Sequence, residues 1–309
     1  CNKFLWISKF APSKIAPPSE FDQNLMDDGT AVGDLVTQLY PNGIEIPPTL
    51  INRDERIALT SELINNGTEV IYEATFFADN IEIRVDALLK ANDGYEIREL
   101  KAVTFKNNIL NDTKFQKHIN DVSIQYYVLN KLGYNITNSY VMTINGEYVR
   151  DNNLNAKELF KEVLVTNEVL DLQDSIPEKV KDLNEILSDK QNEPNTDIDK
   201  HCHKDSQKCG AKEYCWRDQR NIPDYSIFEI FNLGDKSLNL YRDNIVDIRD
   251  IPENVRRTPI QEFYIDHWMN KSTYINDAEI SKFISELNFP LFHLDFESYN
   301  PAIPKYKNS

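Results

Sequence analysis

The chain has 309 residues, and its 50 acidic side chains outnumber 34 lysines and arginines, giving a formal charge of −16. Hydrophobic residues make up 40% of the chain and aromatic residues 11%, which excludes a wholly disordered acidic chain. The acidic balance excludes a uniformly basic nucleic-acid-binding coat, although a metal ion or a local basic patch can serve that purpose inside an acidic protein.

Helical and extended patterns alternate along the first half of the chain. Three helices are predicted from apolar residues at helical spacing, at 29–40, 53–65 and 112–132. Four strands are predicted, at 69–77, 81–90, 95–103 and 134–144. Polar turns separate the first three strands, so they should form an antiparallel meander. The expected order is therefore helix, three strands, helix and strand.

The second half has a different character. Residues 154–190 are charged and helical in pattern, and a polar segment with three cysteines follows. Short helices are predicted around 259–270 and 277–288, and the sequence PLFHLDFE then predicts a new strand. No apolar run approaches the roughly 18–20 residues that span a membrane. Four cysteines are too few for a disulfide scaffold, so we expect a reducing, cytoplasmic location.

Asp86, Glu99 and Lys101 lie on two neighbouring strands of the predicted meander. Residues two apart on a strand share a face, so Glu99 and Lys101 should point the same way. Counting outward from the turn that contains Gly94 places Asp86 nearly opposite Glu99. Two carboxylates and an ammonium group should therefore converge.

This set of side chains suits the hydrolysis of a phosphodiester. Carboxylates bind Mg²⁺ or Mn²⁺, the metal lowers the pKa of a bound water, and a lysine orients that water or stabilises the transition state. A plain alternative is a surface ion pair across two strands, worth at most about 1 kcal/mol.

The arrangement of Asp86, Glu99-Leu100-Lys101 and a following helix with Gln125 resembles the PD-(D/E)XK nuclease superfamily, in its RecB-like branch. The resemblance implies an α/β restriction-endonuclease-like core. It implies catalytic roles for Asp86, Glu99, Lys101 and Gln125, with Asp86, Glu99 and the Leu100 carbonyl as metal ligands.

The resemblance also shows a departure from the family pattern. The RecB-like pattern often has a metal-binding histidine on its first helix, where this chain has Gly33. Glu73, on the first strand of the meander, is the candidate substitute, and its alternative is a simple solvent-facing residue. Tyr126 and Tyr127 are candidates for stacking on bases.

Cys202, Cys209 and Cys215 lie within 14 residues of a polar segment, which is typical of zinc or iron–sulfur ligands. Three ligands leave one position to fill. His201 or His203 would complete a zinc site, whereas Cys1 would complete a four-cysteine site.

One cysteine before the core and three after it resemble the CRISPR-associated RecB-type exonucleases. That resemblance implies a [4Fe–4S] cluster on Cys1, Cys202, Cys209 and Cys215, with zinc as the alternative, and an iron–sulfur clip joining the two ends of the nuclease domain.

Asp295 and Glu297 form a D-x-E pair on the last predicted strand, which resembles the first motif of DnaQ-like exonucleases and makes them second-domain metal candidates. Landmarks along nearly the whole chain are similar to a bacterial family that joins the two nuclease types. That family implies a nuclease-like domain with the cysteine cluster at 1–220, a helical connector forming a C-terminal extension at 221–288, and the first strand of a truncated RNase H-like domain at 289–309.

We therefore expect a Mg²⁺- or Mn²⁺-dependent deoxyribonuclease, an exonuclease of repair or foreign-DNA defence, acting on DNA that is single-stranded or has free ends and not on membranes. The alternative is a catalytically degenerate nuclease fold that serves as an interaction scaffold, with a purely structural iron–sulfur or zinc site.

Overall fold

The computed structural model describes residues 1–105, 109–205, 209–296 and 301–309, without the side chains of 203–205. Six strands are formed: β1 Ile44–Glu45, β2 Val70–Ala78, β3 Ile81–Ala91, β4 Gly94–Thr104, β5 Ile136–Ile144 and β6 Phe160–Leu164. The described residues also form eleven α-helices: α1 Asn2–Phe10, α2 Glu20–Val36, α3 Arg53–Asn65, α4 Phe115–Lys131, α5 Ala156–Leu159, α6 Thr166–Leu172, α7 Ile176–Ser188, α8 Lys200–Asp205, α9 Asp235–Arg242, α10 Pro259–Met269 and α11 Asp277–Ser285.

The chain divides into two compact units. The sheet unit comprises residues 18–185 and 301–309, and the cysteine unit comprises residues 1–17 and 186–296. These limits differ from the predicted domain limits at 220 and 288. The identity of the predicted domains remains a prediction.

The sheet unit confirms the expected α/β class, because its six strands form one open mixed sheet in chain order. Strands β2, β3 and β4 are the expected antiparallel meander, while β4 pairs with β5 in parallel. The turn between β2 and β3 has positive φ at both Asp79 and Asn80, the conformation of a tight hairpin that Asn and Asp tolerate.

Two apolar clusters cover the sheet. Ile119, Val122 and Leu129 of α4 pack with Val85 and Ile97 of the meander in one cluster. The other cluster joins α2 to the sheet, α5 and neighbouring loops, and contains Val32, Val36, Tyr72, Ala87, Met142 and Leu159. Burial of this apolar surface holds α2 and α4 against the strands that carry the candidate site.

Helix α2 begins earlier than the sequence pattern predicted. Ser19 accepts a hydrogen bond from the Asp22 amide, and the Asp22 carboxylate accepts one in return from the Ser19 amide. This capping box satisfies backbone donors at the start of the helix, so the helix forms from Glu20 although its first turns are exposed.

The predicted strand in the segment PLFHLDFE is wrong for the residues that the structure describes. Residues 291–296 form no strand, and the side chains of Phe292, Leu294 and Phe296 are more than 80% exposed. A strand requires a neighbour with which to exchange backbone hydrogen bonds, and no described strand pairs with this segment.

Candidate functional site

Glu99 and Lys101 form an ion pair on β4, as their spacing predicted. Lys101 Nζ lies 2.8 Å from Glu99 Oε1 and 3.0 Å from Asp121 Oδ2 of α4. Gln125, one turn further along α4, donates a 2.6 Å hydrogen bond to Glu99 Oε2. Glu99 is only 6% exposed, so these donors hold a buried carboxylate in one orientation.

The balance of charges keeps Lys101 protonated. Burial by itself would lower the pKa of the Lys101 ammonium, but the charges of Glu99 and Asp121 outweigh this effect and raise it. Lys101 is therefore suited to stabilising negative charge rather than to accepting a proton.

Asp86 lies where β3 and β4 separate. The paired residues of the two strands end at Ala87 and Arg98, and the Leu100 amide then donates a 2.6 Å hydrogen bond to Asp86 Oδ2. The Asp86 carboxylate thus accepts the hydrogen bond of a β4 amide at the point where the backbones of β3 and β4 cease to pair. Burial raises the pKa of Asp86 well above its ordinary value, and the charges of Glu99 and Glu73 raise it further.

Glu73 lies on β2 at the level of Asp86, and there the alternation of side chains is interrupted. Tyr72 pairs with Ala87 and Ala74 with Val85, while Glu73 has φ of 56° and does not pair. Such backbone conformations cost about 1–3 kcal/mol in a residue with a side chain and cluster at functional sites. Burial raises the pKa of Glu73, and the charge of Glu99 contributes to the rise.

Glu73, Asp86 and Lys101 line one cavity of about 600 Å³, which residues of α2 also line. Gly33 of α2 lines it too, and a Cβ atom at that position would meet no atom within 4 Å. The absence of a side chain at Gly33, where the resemblance led us to expect a histidine, therefore leaves open space within the cavity.

The described residues contain no group of three or more His, Cys, Asp or Glu side chains with the spacing of a metal site. Two observations still fit a cation beside Asp86 and Glu99. The desolvated Asp86 carboxyl accepts only one described hydrogen bond, and the buried Gln125 Oε1 has no partner. Each carboxylate oxygen also retains a lone pair beyond the hydrogen bonds described.

The structure extends the predicted set with residues that spacing did not single out. Asp121 was missed because it pairs with Lys101 across a helix–strand interface, and such a contact has no signal in sequence spacing. Arg84 of β3 and Arg56 of α3 also line the cavity. Arg84 lies two residues before Asp86, so the alternation of side chains along β3 could have placed it on the same face as Asp86.

Other predicted residues lie apart from this site. Tyr127 donates a hydrogen bond to Asp79, and Tyr126 packs against the core, so neither side chain is free to stack on a base in the described arrangement. Asp295 is exposed and accepts a hydrogen bond from the next amide. Glu297 lies outside the described residues.

The four cysteines of the cysteine unit all line one small cavity, together with His201. None of them is in a disulfide. The side chain of His203 lies outside the described part of the chain. Four cysteine residues lining one cavity are chemically the donors of the predicted metal or cluster site, although their described positions do not have the spacing of a bound metal.

Burial raises the pKa of the Cys202 and Cys215 thiols, and the charge of Cys209 raises each further. Lys3 and Arg220 act in the opposite direction on Cys215. A metal must displace protons from such thiols, so loading should weaken as the pH falls.

The replacement Asp86→Asn tests the electrostatic cost of this arrangement. A carboxyl whose pKa is raised by folding destabilises the folded state once the pH rises above its ordinary value of 3.8. In EDTA we expect the variant to raise the free energy of unfolding at neutral pH by about 1–3 kcal/mol. The gain should shrink as the pH falls to 3.8 and vanish below it, where the carboxyl is protonated in both states.

Urea denaturation at a series of pH values measures this difference, with the exposed Asp182→Asn as the matched control. A variant that loses stability at neutral pH, or gains equally at every pH, would contradict the expected effect.

Compared with models of protein families, the chain matches none, and a search of curated proteins finds no similar sequence. Within the residues described, no helix combines the length and apolar character needed to cross a membrane.

Proposed function

We propose that the sheet unit is a Mg²⁺- or Mn²⁺-dependent deoxyribonuclease of the PD-(D/E)XK type with a restriction-endonuclease-like core. The observation that carries the proposal is the joining of Glu99, Lys101 and Gln125 by hydrogen bonds beside Asp86, where two strands separate at a cavity. An ordinary cross-strand ion pair explains neither the strained Glu73 nor the buried, unpartnered Gln125 oxygen.

Asp86, Glu99 and the Leu100 carbonyl would hold the cation, with Glu73 as the further carboxylate. When bound, the cation would neutralise phosphate charge and lower the pKa of the attacking water. Gln125 holds Glu99 in orientation, and the Lys101 ammonium stabilises charge that develops on the phosphate. The substrate is DNA that is single-stranded or has free ends.

The cysteine unit would hold a [4Fe–4S] cluster on Cys1, Cys202, Cys209 and Cys215. The support is the single cavity that all four residues line. Such a cluster would fasten the N-terminal helix α1 to the segment after α8 and act structurally. Zinc on three of the cysteines and His201 is the alternative that the same cavity allows.

Labelled single-stranded, double-stranded and circular DNA test the proposal when each is incubated with the chain and Mn²⁺, with EDTA as the control. We expect cleavage that EDTA abolishes and that Glu99→Ala and Lys101→Ala remove. Absence of cleavage on every substrate with either cation, or unchanged cleavage by both variants, would refute it.

A non-catalytic scaffold is the second candidate. It is favoured by Gly33 at the position where the resemblance implies a histidine and by the formal charge of −16. DNA binding measured over a range of salt concentrations separates the two, because a nuclease should bind in a salt-dependent way and a protein scaffold should not.

A further inference from the structure

Arg56 and Arg84, which line the same cavity as Glu73 and Asp86, share a single acidic partner. Arg56 of α3 donates from one terminal nitrogen to Glu82 Oε1 at 2.7 Å. Arg84 of β3 donates to the same oxygen from Nε and from a terminal nitrogen, each at 3.2 Å. One carboxylate therefore faces two guanidinium groups, and Glu82 by itself offsets only one of their two positive charges.

The two guanidinium groups also have donors to spare. Each carries five N–H groups, and few of these are used by Glu82. Arg56 is only 8% exposed, and its Nε is buried without a hydrogen-bond partner among the described residues. Glu73 lies near enough to feel both charges, but no ion pair joins it to either arginine in the described structure. The Arg84 side chain is about half exposed, so the N–H groups that Glu82 leaves unused can reach an acceptor in the cavity that this residue lines.

The position of the arginines relative to Asp86 identifies the acceptor. Arg84 and Asp86 are two residues apart on β3, a separation of about 6.6 Å along a strand. Both residues line the same cavity, so a phosphate held at Arg84 would neighbour one held by a cation at Asp86. The planar guanidinium fork matches phosphate oxygens in geometry and charge.

We propose that Arg56 and Arg84 bind the phosphate that adjoins the scissile phosphodiester of a nucleic-acid strand. The inference rests on the proposed function for the identity of the scissile bond. The two arginines would form a subsite that positions the substrate in the cavity. They would also supply local positive charge in a chain whose overall charge is −16.

The test measures the affinity of a short dye-labelled oligothymidylate by fluorescence anisotropy over a range of salt concentrations. Ca²⁺ replaces Mn²⁺, and the oligonucleotide is checked to be intact afterwards. Arg84→Gln should bind about tenfold more weakly, because a charge-assisted contact is lost. The slope of log affinity against log salt should fall by about 0.7, the value for one phosphate contact on a single strand. Arg84→Lys should keep the slope.

Arg53→Gln is the matched control, because Arg53 lies on the same helix as Arg56 but packs over the Phe77 ring and outside the cavity lining. It should leave the affinity and the slope close to those of the wild type. An equal loss in Arg53→Gln and Arg84→Gln would show a general field rather than a subsite and would overturn the inference.

A more specific test uses a series of oligonucleotides, each with one neutral methylphosphonate at a different position, and compares their affinities for the wild type and for Arg84→Gln. One position should weaken binding by the wild type and have little further effect on Arg84→Gln, because both changes remove the same contact. Additive losses at every position would overturn the inference. Arg56→Lys, with its fold checked by circular dichroism, should show the same non-additivity more weakly.

The arms separate this inference from the proposed function. Cleavage by the wild type, together with wild-type affinity and slope in Arg84→Gln, overturns the subsite and leaves the nuclease standing. Arginine-dependent binding without cleavage under any metal condition supports the phosphate subsite and overturns the nuclease. A wild type that does not bind the oligonucleotide overturns the subsite.

Discussion

Mn²⁺-dependent cleavage of single-stranded DNA should fall by at least about a thousandfold when Glu99 is replaced by glutamine. The replacement removes a charge from the cation site but preserves the shape of a side chain that is almost fully buried. It also removes repulsion between Glu99 and the raised-pKa carboxyls of Asp86 and Glu73, which offsets the lost ion pair with Lys101. The fold should therefore remain intact.

The matched control for this prediction is Glu96→Gln on the same strand. Glu96 pairs with Arg98 and accepts a hydrogen bond from Asn138, and it takes no part in the contacts that join Glu99, Lys101 and Gln125. Initial rates on a labelled oligonucleotide, with circular dichroism of each variant, separate loss of catalysis from loss of structure. Equal rates for Glu99→Gln and the wild type, or equal losses in the two variants, would contradict the assigned role of Glu99.

The second large effect is expected at the cysteines. The proposed [4Fe–4S] cluster predicts that the wild type is brown and contains iron, and that Cys215→Ser loses both. The free energy of unfolding should then fall by several kcal/mol, because metal binding energy contributes directly to folding. Cys215 packs against two apolar clusters, one that includes Trp216 and one that includes Trp6. Loss of the metal site should therefore destabilise the packing of both clusters. Metal analysis and thermal unfolding of the purified chain measure the two effects.

His201→Gln and Cys1→Ser distinguish the two candidate ligand sets, because both residues line the cavity of the other cysteines. A four-cysteine cluster requires that His201→Gln keep its iron while Cys1→Ser loses it. The reverse result with zinc in place of iron would establish the three-cysteine, one-histidine site. Full retention of metal and stability in Cys215→Ser would contradict both.

Local signals were sufficient for much of the sheet unit. The predicted helix at 53–65 has the bounds of α3, because Asn52 caps its first amides and Gly67 adopts the positive φ that ends it. The meander was predictable because polar turn residues separate three runs of strand-forming residues. The i, i+2 spacing of Glu99 and Lys101 was enough to predict that their side chains meet.

The rest depended on contacts between distant segments. Strand β1 has only two residues and pairs in parallel with β2, so its own pattern contains no signal. The interruption at Glu73 arises from the fit of β2 against β3, whereas an alternation rule assumes a regular strand. The segment 291–296 shows the opposite error, since its strand-like composition does not supply a pairing partner.

By itself, the sequence determined the order of helix, meander, helix and strand, and the facing of Glu99 and Lys101, because caps, turns and side-chain periodicity act over a few residues. Only the tertiary structure decided that Asp121 reaches Lys101 of β4, that Gln125 donates to Glu99, that Arg56 and Arg84 share Glu82, and that Cys1 lines one cavity with three cysteines some 200 residues later in the chain. Those contacts depend on how helices pack against the sheet and loops close over long separations, and the burial that stabilises them is a property of the whole chain.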